Sequence, residues 1–288
     1  MTYLVHGATG AQGSPVLAAL TVAGKDAVAA VRNPAGLPAG TRSLAVDLAD
    51  AEALARAYSG AEGVFVHLPM GGDPAVSAAQ AAAIVSAVDT ARPARVVIST
   101  SGAIVDEPGS PLQAPSTAPI QQLIQGVTAT GVSTAVVAPR LYLENLLLPV
   151  VAEPARSEGV LRYPLPAEYP VSWSSHLDVA DAVVELLTDH RGVEGIVAIG
   201  HSPGLTGTDL AAGFAQHLAT DVRYEAISPD AFGELITPLF GAAAQPVVDL
   251  YRALNGADRN VVAEDRSAQT LLGLAPRSVA DWLAVVDA

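Results

Sequence analysis

The chain opens with a glycine-rich turn, which constrains its fold more than any other feature. Tyr3 to His6 form a short apolar run, and glycines follow at positions 7, 10 and 13 before a stretch of helix-forming residues. Glycine at a strand-to-helix turn lets the backbone approach a pyrophosphate without an intervening Cβ, and the next helix offers free N–H groups. An ordinary strand-to-helix turn is the alternative. The strand before the turn and the helix after it favour dinucleotide binding.

Strand and helix patterns alternate through the first half of the chain. Continuous apolar runs, typical of buried parallel strands, lie at 27–32, 43–47, 63–68, 94–100 and 133–138. Helical patterns lie near 14–23, 50–58, 75–91 and 116–130. This alternation predicts an α/β fold with a Rossmann-type doubly wound parallel sheet.

The pattern changes after Pro139. A stretch rich in proline and tyrosine covers 141–175, and later elements are a helix at 178–188 and strands at 195–199 and 222–227. We predict an NADP(H)-binding core over 1–140 and a smaller C-terminal α/β substrate lobe over 141–288, with segment 178–200 returning to the core. The C-terminal helices either cover the cleft or form the face of a homodimer.

Composition excludes several classes of function. The chain carries 29 acidic and 15 basic side chains, a net charge of −14, so a basic surface for nucleic acid is not expected. It has no cysteine, and its six histidines lack metal-ligand spacing, so no metal site is predicted. Neither an apolar run of membrane-spanning length nor a basic leader is apparent in the sequence. We expect a cytoplasmic protein that acts on a small molecule.

Arg32 ends the second predicted strand, where this type of fold meets the adenosine ribose. An acid there would accept from a 2′-hydroxyl, whereas a guanidinium pairs with a 2′-phosphate. The position therefore favours NADPH and NADP⁺ over the NAD pair. A surface arginine at a strand end is the alternative.

Several segments along the chain together follow the pattern of one known protein family. They are 7–13, Val31 to Pro34, Val46 to Leu48, Ser99 to Gly102, Pro139 to Asn145, His176 to Ala180, Leu205-Thr206, and Arg277-Ser278 before a helix with Trp282. In order and spacing, the chain resembles the NmrA-like branch of the atypical short-chain dehydrogenases over nearly its whole length. That branch includes NADPH-dependent quinone reductases and redox-sensing regulators.

The resemblance implies a set of residues that bind NADPH or NADP⁺. In sequence order they are Gly7, Thr9, Gly10, Ala11, Gln12, Gly13, Arg32, Asp47, Leu48, Leu68, Pro69 and Thr100. Asp47 is expected to help hold the adenine, with capping of a turn or helix as the alternative. Met70 is expected to border the cofactor beside Pro69.

The sequence lacks the Tyr–Lys pair of conventional short-chain dehydrogenases. Its only lysine is Lys25, and none of its seven tyrosines is followed by lysine four residues later. A related lysine of many family members would fall in the helix near 119–125, where this chain has Pro119, Ile120, Gln121 and Gln122.

Two functions fit this inventory. In the first, the protein is a reductase that orients nicotinamide against a quinone, conjugated carbonyl, alkene or imine. In the second, it is a catalytically silent NADP(H)-binding regulator of a protein partner. The segment rich in tyrosine and proline favours the reductase, because it is suited to enclosing a small apolar ligand.

Four side chains are candidate proton donors or substrate contacts. Thr100 and Ser101 end the fifth strand, Tyr142 follows the sixth, and His67 ends the fourth. The alternatives are capping of the strand end for the hydroxyls, packing for Tyr142 and a structural role for His67. His176 is expected to cap a helix or face the pocket, and His6 to lie in the core.

Overall fold

The computed structural model describes residues 1–69 and 73–287. The strands are β1 (Thr2–His6), β2 (Asp26–Val31), β3 (Ser43–Ala45), β4 (Gly63–His67), β5 (Val96–Ser99), β6 (Thr134–Pro139), β7 (Leu141–Tyr142), β8 (Val160–Tyr163), β9 (Trp173–Ser174), β10 (Gly195–Ile199) and β11 (Arg223–Ala226).

The helices are α1 (Gly13–Val22), α2 (Ala51–Tyr58), α3 (Pro74–Ala91), α4 (Pro119–Ala129), α5 (Pro149–Glu158), α6 (His176–Leu187), α7 (Gly207–Leu218), α8 (Pro229–Phe240), α9 (Ala244–Asn255), α10 (Ala268–Leu272) and α11 (Val279–Val286). Short 3₁₀ turns lie between some of these elements.

The central sheet is parallel and, within the described residues, seven-stranded, in the order β10-β6-β5-β4-β1-β2-β3. The predicted Rossmann-type doubly wound sheet is therefore confirmed. The chain builds β1 to β3 towards one edge and then crosses back to place β4 on the other side of β1. This reversal opens a crevice beyond the carboxyl ends of β1 and β4, where such sheets bind ligands.

Two apolar layers cover the sheet. Successive β1 residues alternate between them: Leu4 packs with the layer containing α2, α3 and α4, and Val5 with the layer containing α1 and α6. Strands buried on both faces explain the continuous apolar runs of the sequence.

A third apolar cluster lies in the C-terminal part of the chain. It surrounds the buried Trp173 and Trp282 and includes residues of the small parallel pairs β7–β9 and β8–β11. After β6 the chain leaves the main sheet, and β10 returns to it beside β6. The boundary between core and lobe at residue 140 remains a prediction.

Pro229–Asn255 is long and apolar enough, by length and composition, to cross a membrane, with a mean hydropathy of 1.2. A run of this length was not expected from the sequence. The segment is a hairpin of two helices: α8 ends at Phe240, Gly241 follows as its C-cap, and Gly233 of α8 faces Val248 of α9. Its inner side chains, including Phe232 and Tyr251, belong to the third cluster.

The glycine turn brings α1 very close to the end of β1. A Cβ on Gly13 would overlap the carbonyl oxygens of His6 and Gly7, whereas a Cβ on Gly10 would meet only Gly7 O, at 3.3 Å. Backbone atoms cannot move aside as a flexible side chain can.

We therefore expect Gly13→Ala to lower the free energy of unfolding by about 2 kcal/mol or more, as overpacking does. The matched variant Gly10→Ala should change it by less than about 1 kcal/mol. Urea unfolding of both variants measures the difference. Equal stabilities would contradict this packing of α1 on β1.

Candidate functional site

A cavity of about 300 Å³ lies in the crevice beside β1 and β4. Its lining comes from several strand ends and from the start of α3, and comprises His6, Gly7, Thr9, Ala30, Val31, Arg32, Val46, Leu48, Pro69, Val76, Ser77 and Gln80. The structure thus brings together predicted cofactor residues from the glycine turn, β2 and the ends of β3 and β4. Met70 lies outside the described residues.

Asp47 is placed differently from its neighbours. It is exposed, and its carboxylate accepts a hydrogen bond from Ala49 N at 2.9 Å, the turn-capping alternative. Val46 and Leu48 line the cavity. A contact between Asp47 and the adenine remains a prediction.

Ser77 and Gln80 were not anticipated as site residues. Eight of the 18 residues of α3 are alanine, so its hydrophobic pattern did not indicate which face meets the crevice. The signal was their polarity: two polar side chains three residues apart lie on one face of a helix. Both can hydrogen-bond an adenosine.

The side chain of Gln12 connects the glycine turn to β5. Its amide Nε2 donates to Ser101 Oγ at 2.9 Å, and its Oε1 accepts from Ser99 Oγ at 2.7 Å. Gln12 is buried and does not cap α1 with its side chain. The Gln12 carboxamide instead fixes the loop after β5.

Ser101 occupies an unusual backbone conformation at this junction. Its φ is 55°, in the left-handed region that serine rarely adopts. Because its oxygen accepts from Gln12, its own hydrogen is free to be donated to another group. Ser101 also lines a second cavity.

The second cavity has a volume of about 530 Å³ and mostly apolar walls. It lies between the loop after β5, the segment after β6 and the α8–α9 hairpin. Its lining comprises Ser101, Gly102, Ala103, Ile104, Leu112, Ala114, Arg140, Leu141, Tyr142, Asn145, Leu148, Phe232, Phe240, Val247, Leu250, Tyr251, Leu254 and Asn260. This volume accommodates a small aromatic molecule.

Several buried polar atoms near the ends of β4, β5 and β7 have no hydrogen-bond partner among the described residues. They are His67 Nε2, Thr100 Oγ1, Tyr142 OH, Glu144 Oε2 and His176 Nδ1. Leaving such atoms unpaired is costly, and a group of them at one edge of a sheet fits a polar ligand. The amide and ribose hydroxyls of a nicotinamide nucleoside are of this kind.

The aromatic members of this group lie close to one another or to the glycine turn. The rings of Tyr142 and His176 are 4.2 Å apart between centroids. The His67 ring occupies the space where a Cβ on Gly7 would lie. Gly7 has a φ of 63°, so both its conformation and its neighbour require glycine.

Burial keeps these side chains uncharged at neutral pH. It lowers the pKa of His67, and it lowers the pKa of His176 to about 4, with a smaller contribution from the nearby His67. Burial raises the pKa of the Tyr142 phenol. The site therefore offers neutral hydrogen-bonding groups rather than a strong acid.

Glu144 and Asp178 hold the segments around the site together. Glu144 Oε1 accepts from His176 N at 3.0 Å and from Trp282 Nε1 at 3.2 Å. Asp178 forms a capping box with Ser175 and accepts from Arg277 Nη1 at 2.9 Å. These hydrogen bonds join α6 to the segment after β7 and to the C-terminal segment.

Lys25 lies just before β2, at the amino edge of the sheet and opposite the crevice. In α4, the helix in which the resemblance implies a lysine near 119–125, Gln121 donates to Ala114 O at 3.5 Å. Within the described ranges, no group of three or more His, Asp or Glu side chains is arranged to hold a metal ion.

The chain is similar in sequence to one family of known proteins. A profile described as the NmrA-like family matches residues 1–270. An NAD(P)H azoreductase of Xenophilus azovorans is 31% identical over 229 residues, which are 78% of this chain and 77% of that protein.

Solved structures show the same fold. An NADPH-dependent quinone oxidoreductase of Escherichia coli, complexed with NADPH, has a TM-score of 0.75 at 20% identity and covers 100% of both chains. A triphenylmethane reductase of Citrobacter sp., complexed with NADP(H), has a TM-score of 0.80 at 17% identity and covers 99% of this chain and 100% of that one.

We expect Arg32→Ala to weaken NADPH binding about 10- to 100-fold, since a charge-assisted hydrogen bond contributes about 1.5–3 kcal/mol. NADH binding should change by less than about threefold, under 1 kcal/mol. Calorimetric titration measures both constants, and Arg42→Ala, an exposed arginine paired with Asp26, is the control. Equal losses for the two cofactors would refute a contact between Arg32 and the 2′-phosphate.

The buried histidines should make folding stability depend on pH. Burial, with a smaller contribution from the nearby His67, lowers the pKa of His6 from 6.5 to about 3, and His6 Nε2 lies 2.9 Å from Tyr58 OH. Below pH 6.5 the unfolded chain therefore binds protons that the folded chain excludes. Between pH 6.5 and its own lowered pKa in the folded state, each such histidine lowers the free energy of unfolding by about 1.4 kcal/mol per unit fall in pH.

Urea unfolding at pH 7 and pH 5 tests this effect. We expect lower stability at pH 5 and a smaller difference in His6→Gln. The control variant His217→Gln, at a half-buried side chain 3.2 Å from Asp287, should keep the stability difference of the parent. Stability that does not fall between pH 7 and pH 5 would mean that His6 and His176 are not buried in neutral form.

Proposed function

Because the chain belongs to the NmrA-like family, we propose that it reduces a small, planar, apolar acceptor with NADPH. The protein is an NAD(P)H-dependent oxidoreductase. Its azoreductase and quinone oxidoreductase relatives support this activity over that of a silent regulator.

The proposal is supported most directly by a link between the two cavities: the glycine turn, whose Gly7 and Thr9 line the crevice, is hydrogen-bonded to the wall of the apolar cavity. Gln12 of this turn donates to Ser101, which lines the apolar cavity. Thr100, whose buried hydroxyl has no partner among the described residues, lies one residue before Ser101. Together these two residues would hold the nicotinamide end of the cofactor beside the acceptor.

Bound NADPH supplies the hydride, and the protein supplies binding and orientation. The glycine turn would hold the pyrophosphate, and Arg32 would pair with the 2′-phosphate. Ser77 and Gln80 would contact the adenosine from α3. His67, Thr100 and His176, whose buried polar atoms lack a partner among the described residues, would bind the nicotinamide riboside.

Ser101 and Tyr142 hold the acceptor. Gln12 donates to Ser101, so the serine hydroxyl is oriented as a donor to the oxygen or nitrogen of the acceptor. Tyr142 is a second neutral donor at the same wall. Because neither is a strong acid, acceptors whose reduced anions are stabilised by conjugation suit the site best. Quinones, conjugated carbonyls and aromatic azo compounds meet this condition.

We expect Ser101→Ala to lower kcat about tenfold with a quinone acceptor, the effect of one neutral hydrogen bond worth about 1.4 kcal/mol in the transition state. The dissociation constant of NADPH should stay within about twofold of the parent, a change below 0.5 kcal/mol. Steady-state NADPH oxidation and calorimetry measure these quantities, and Ser59→Ala is a surface control. An unchanged kcat would remove Ser101 from the reaction.

A further inference from the structure

A buried cluster of charged side chains borders the second, apolar cavity, in which the proposed function places the acceptor. Arg140 follows β6, and its side chain is 0% exposed. Its guanidinium donates to both Asp106 oxygens, at 2.8 and 3.1 Å, and to Glu107 Oε1 at 2.8 Å. The Asp106 side chain is 2% exposed and that of Glu107 33%.

The two carboxylates outnumber the guanidinium, so the cluster is negative overall. Arg140 is nevertheless the charged side chain that lines the cavity; the other lining residues in the described part of the chain are neutral. A ligand in this cavity thus meets a cation whose charge is already balanced by partners at hydrogen-bond distance.

We propose that the cluster of Arg140, Asp106 and Glu107 makes the cavity select uncharged aromatic acceptors and reject anionic ones, such as sulfonated or carboxylated rings. The inference rests on the proposed function, because it concerns the acceptor of the same site. It assigns Asp106 and Glu107 a role in specificity that their position outside the cavity lining does not suggest.

The physical reason is the desolvation of charge. A sulfonate or carboxylate that enters apolar walls loses its hydration and needs a counter-ion in the site. Arg140 would provide one if it were free. Here its forked donors are directed at Asp106 and Glu107, and the excess negative charge repels a further anion at short range.

Two unpaired atoms indicate what the cavity accepts instead. Arg140 Nε and Asn260 Oδ1 are buried and have no hydrogen-bond partner among the described residues, and both side chains line the cavity. One is a donor and the other an acceptor. A neutral substituent such as a hydroxyl, carbonyl or amino group can satisfy them without introducing charge.

The net charge of −14 would also disfavour anions, but by a different route. Repulsion from the whole surface acts over long distances and is screened by salt, whereas a buried cluster is screened much less. Salt dependence therefore separates the two causes.

The first test measures binding without turnover. The NADP⁺-loaded protein is titrated calorimetrically with 2-naphthol and with naphthalene-2-sulfonate, two redox-inert molecules that differ in charge, at low and high NaCl. We expect the neutral molecule to bind at least 30-fold more tightly at both salt concentrations. Equal affinities, failure of both to bind, or a preference that disappears in high salt would overturn the proposal.

The second test changes the cluster. Glu107→Gln should reduce the preference about tenfold, and the double variant Asp106→Asn/Glu107→Gln, which leaves Arg140 uncompensated, should reduce it further or reverse it. Glu52→Gln removes the same charge from an exposed position on α2 and should leave the preference unchanged. If thermal melting shows that the double variant is unfolded, the single variant decides the outcome. A preference unaltered in Glu107→Gln would overturn the proposal.

Turnover by the same preparation keeps this inference distinct from the proposed function. We expect NADPH oxidation with 4-(dimethylamino)azobenzene or a simple naphthoquinone and much less with the corresponding sulfonates. Charge-selective binding without oxidation by any acceptor would refute the reductase and leave the selectivity standing. Oxidation with equal efficiency for neutral and sulfonated acceptors would do the reverse.

Discussion

The close approach of α1 to the end of β1 determines the shape of the crevice. Gly13 allows it, because any side chain there would overlap the carbonyl oxygens of His6 and Gly7. Gly7 adopts a left-handed conformation and leaves room for the ring of His67 at the end of β4. With β4 on the opposite side of β1 from β2, this turn forms the floor of the crevice. Arg32, Ser77 and Gln80 contribute to its wall.

The same turn connects the crevice to the second, apolar cavity. Gln12 donates to Ser101 and accepts from Ser99, so the position of the glycine turn and that of the β5 loop are coupled by two hydrogen bonds. Burial keeps the surrounding imidazoles and phenol neutral. The reaction assigned to the site follows from this: orientation of two planar molecules and hydrogen bonds to the acceptor, without a strong acid. The cluster at Arg140 extends the account from the reaction to the choice of acceptor.

Much of the fold was predictable from local sequence. Continuous apolar runs predicted the strands of the main sheet, and the glycine spacing predicted the turn at its centre. The lining role of Arg32 followed from its place at the end of β2. These features depend on residues adjacent in sequence, or on a rule that relates a strand end to the crevice.

What sequence reasoning missed depends on contacts between distant segments. The polar partners of Gln12 lie more than 80 residues away, and Arg140 is about 33 residues from the carboxylates that neutralise it. Neither pairing leaves a periodic signal. Asp47 shows the opposite limit, since a carboxylate beside a turn satisfies a local N–H, and its type alone does not distinguish capping from ligand binding. The α8–α9 hairpin was not predicted, because the composition of segment 229–255 does not show where the chain reverses direction.

The proposed function requires that hydride pass directly from bound NADPH to a bound acceptor. Stopped-flow mixing of the NADPH-loaded protein with a naphthoquinone, using NADPH and its 4-deuterated form of each face, tests this directly. The account predicts oxidation of one NADPH per quinone reduced, slowed by deuterium on one face only. Tight binding of NADPH with no oxidation by any planar acceptor, or oxidation insensitive to deuterium on either face during a single turnover, would contradict it.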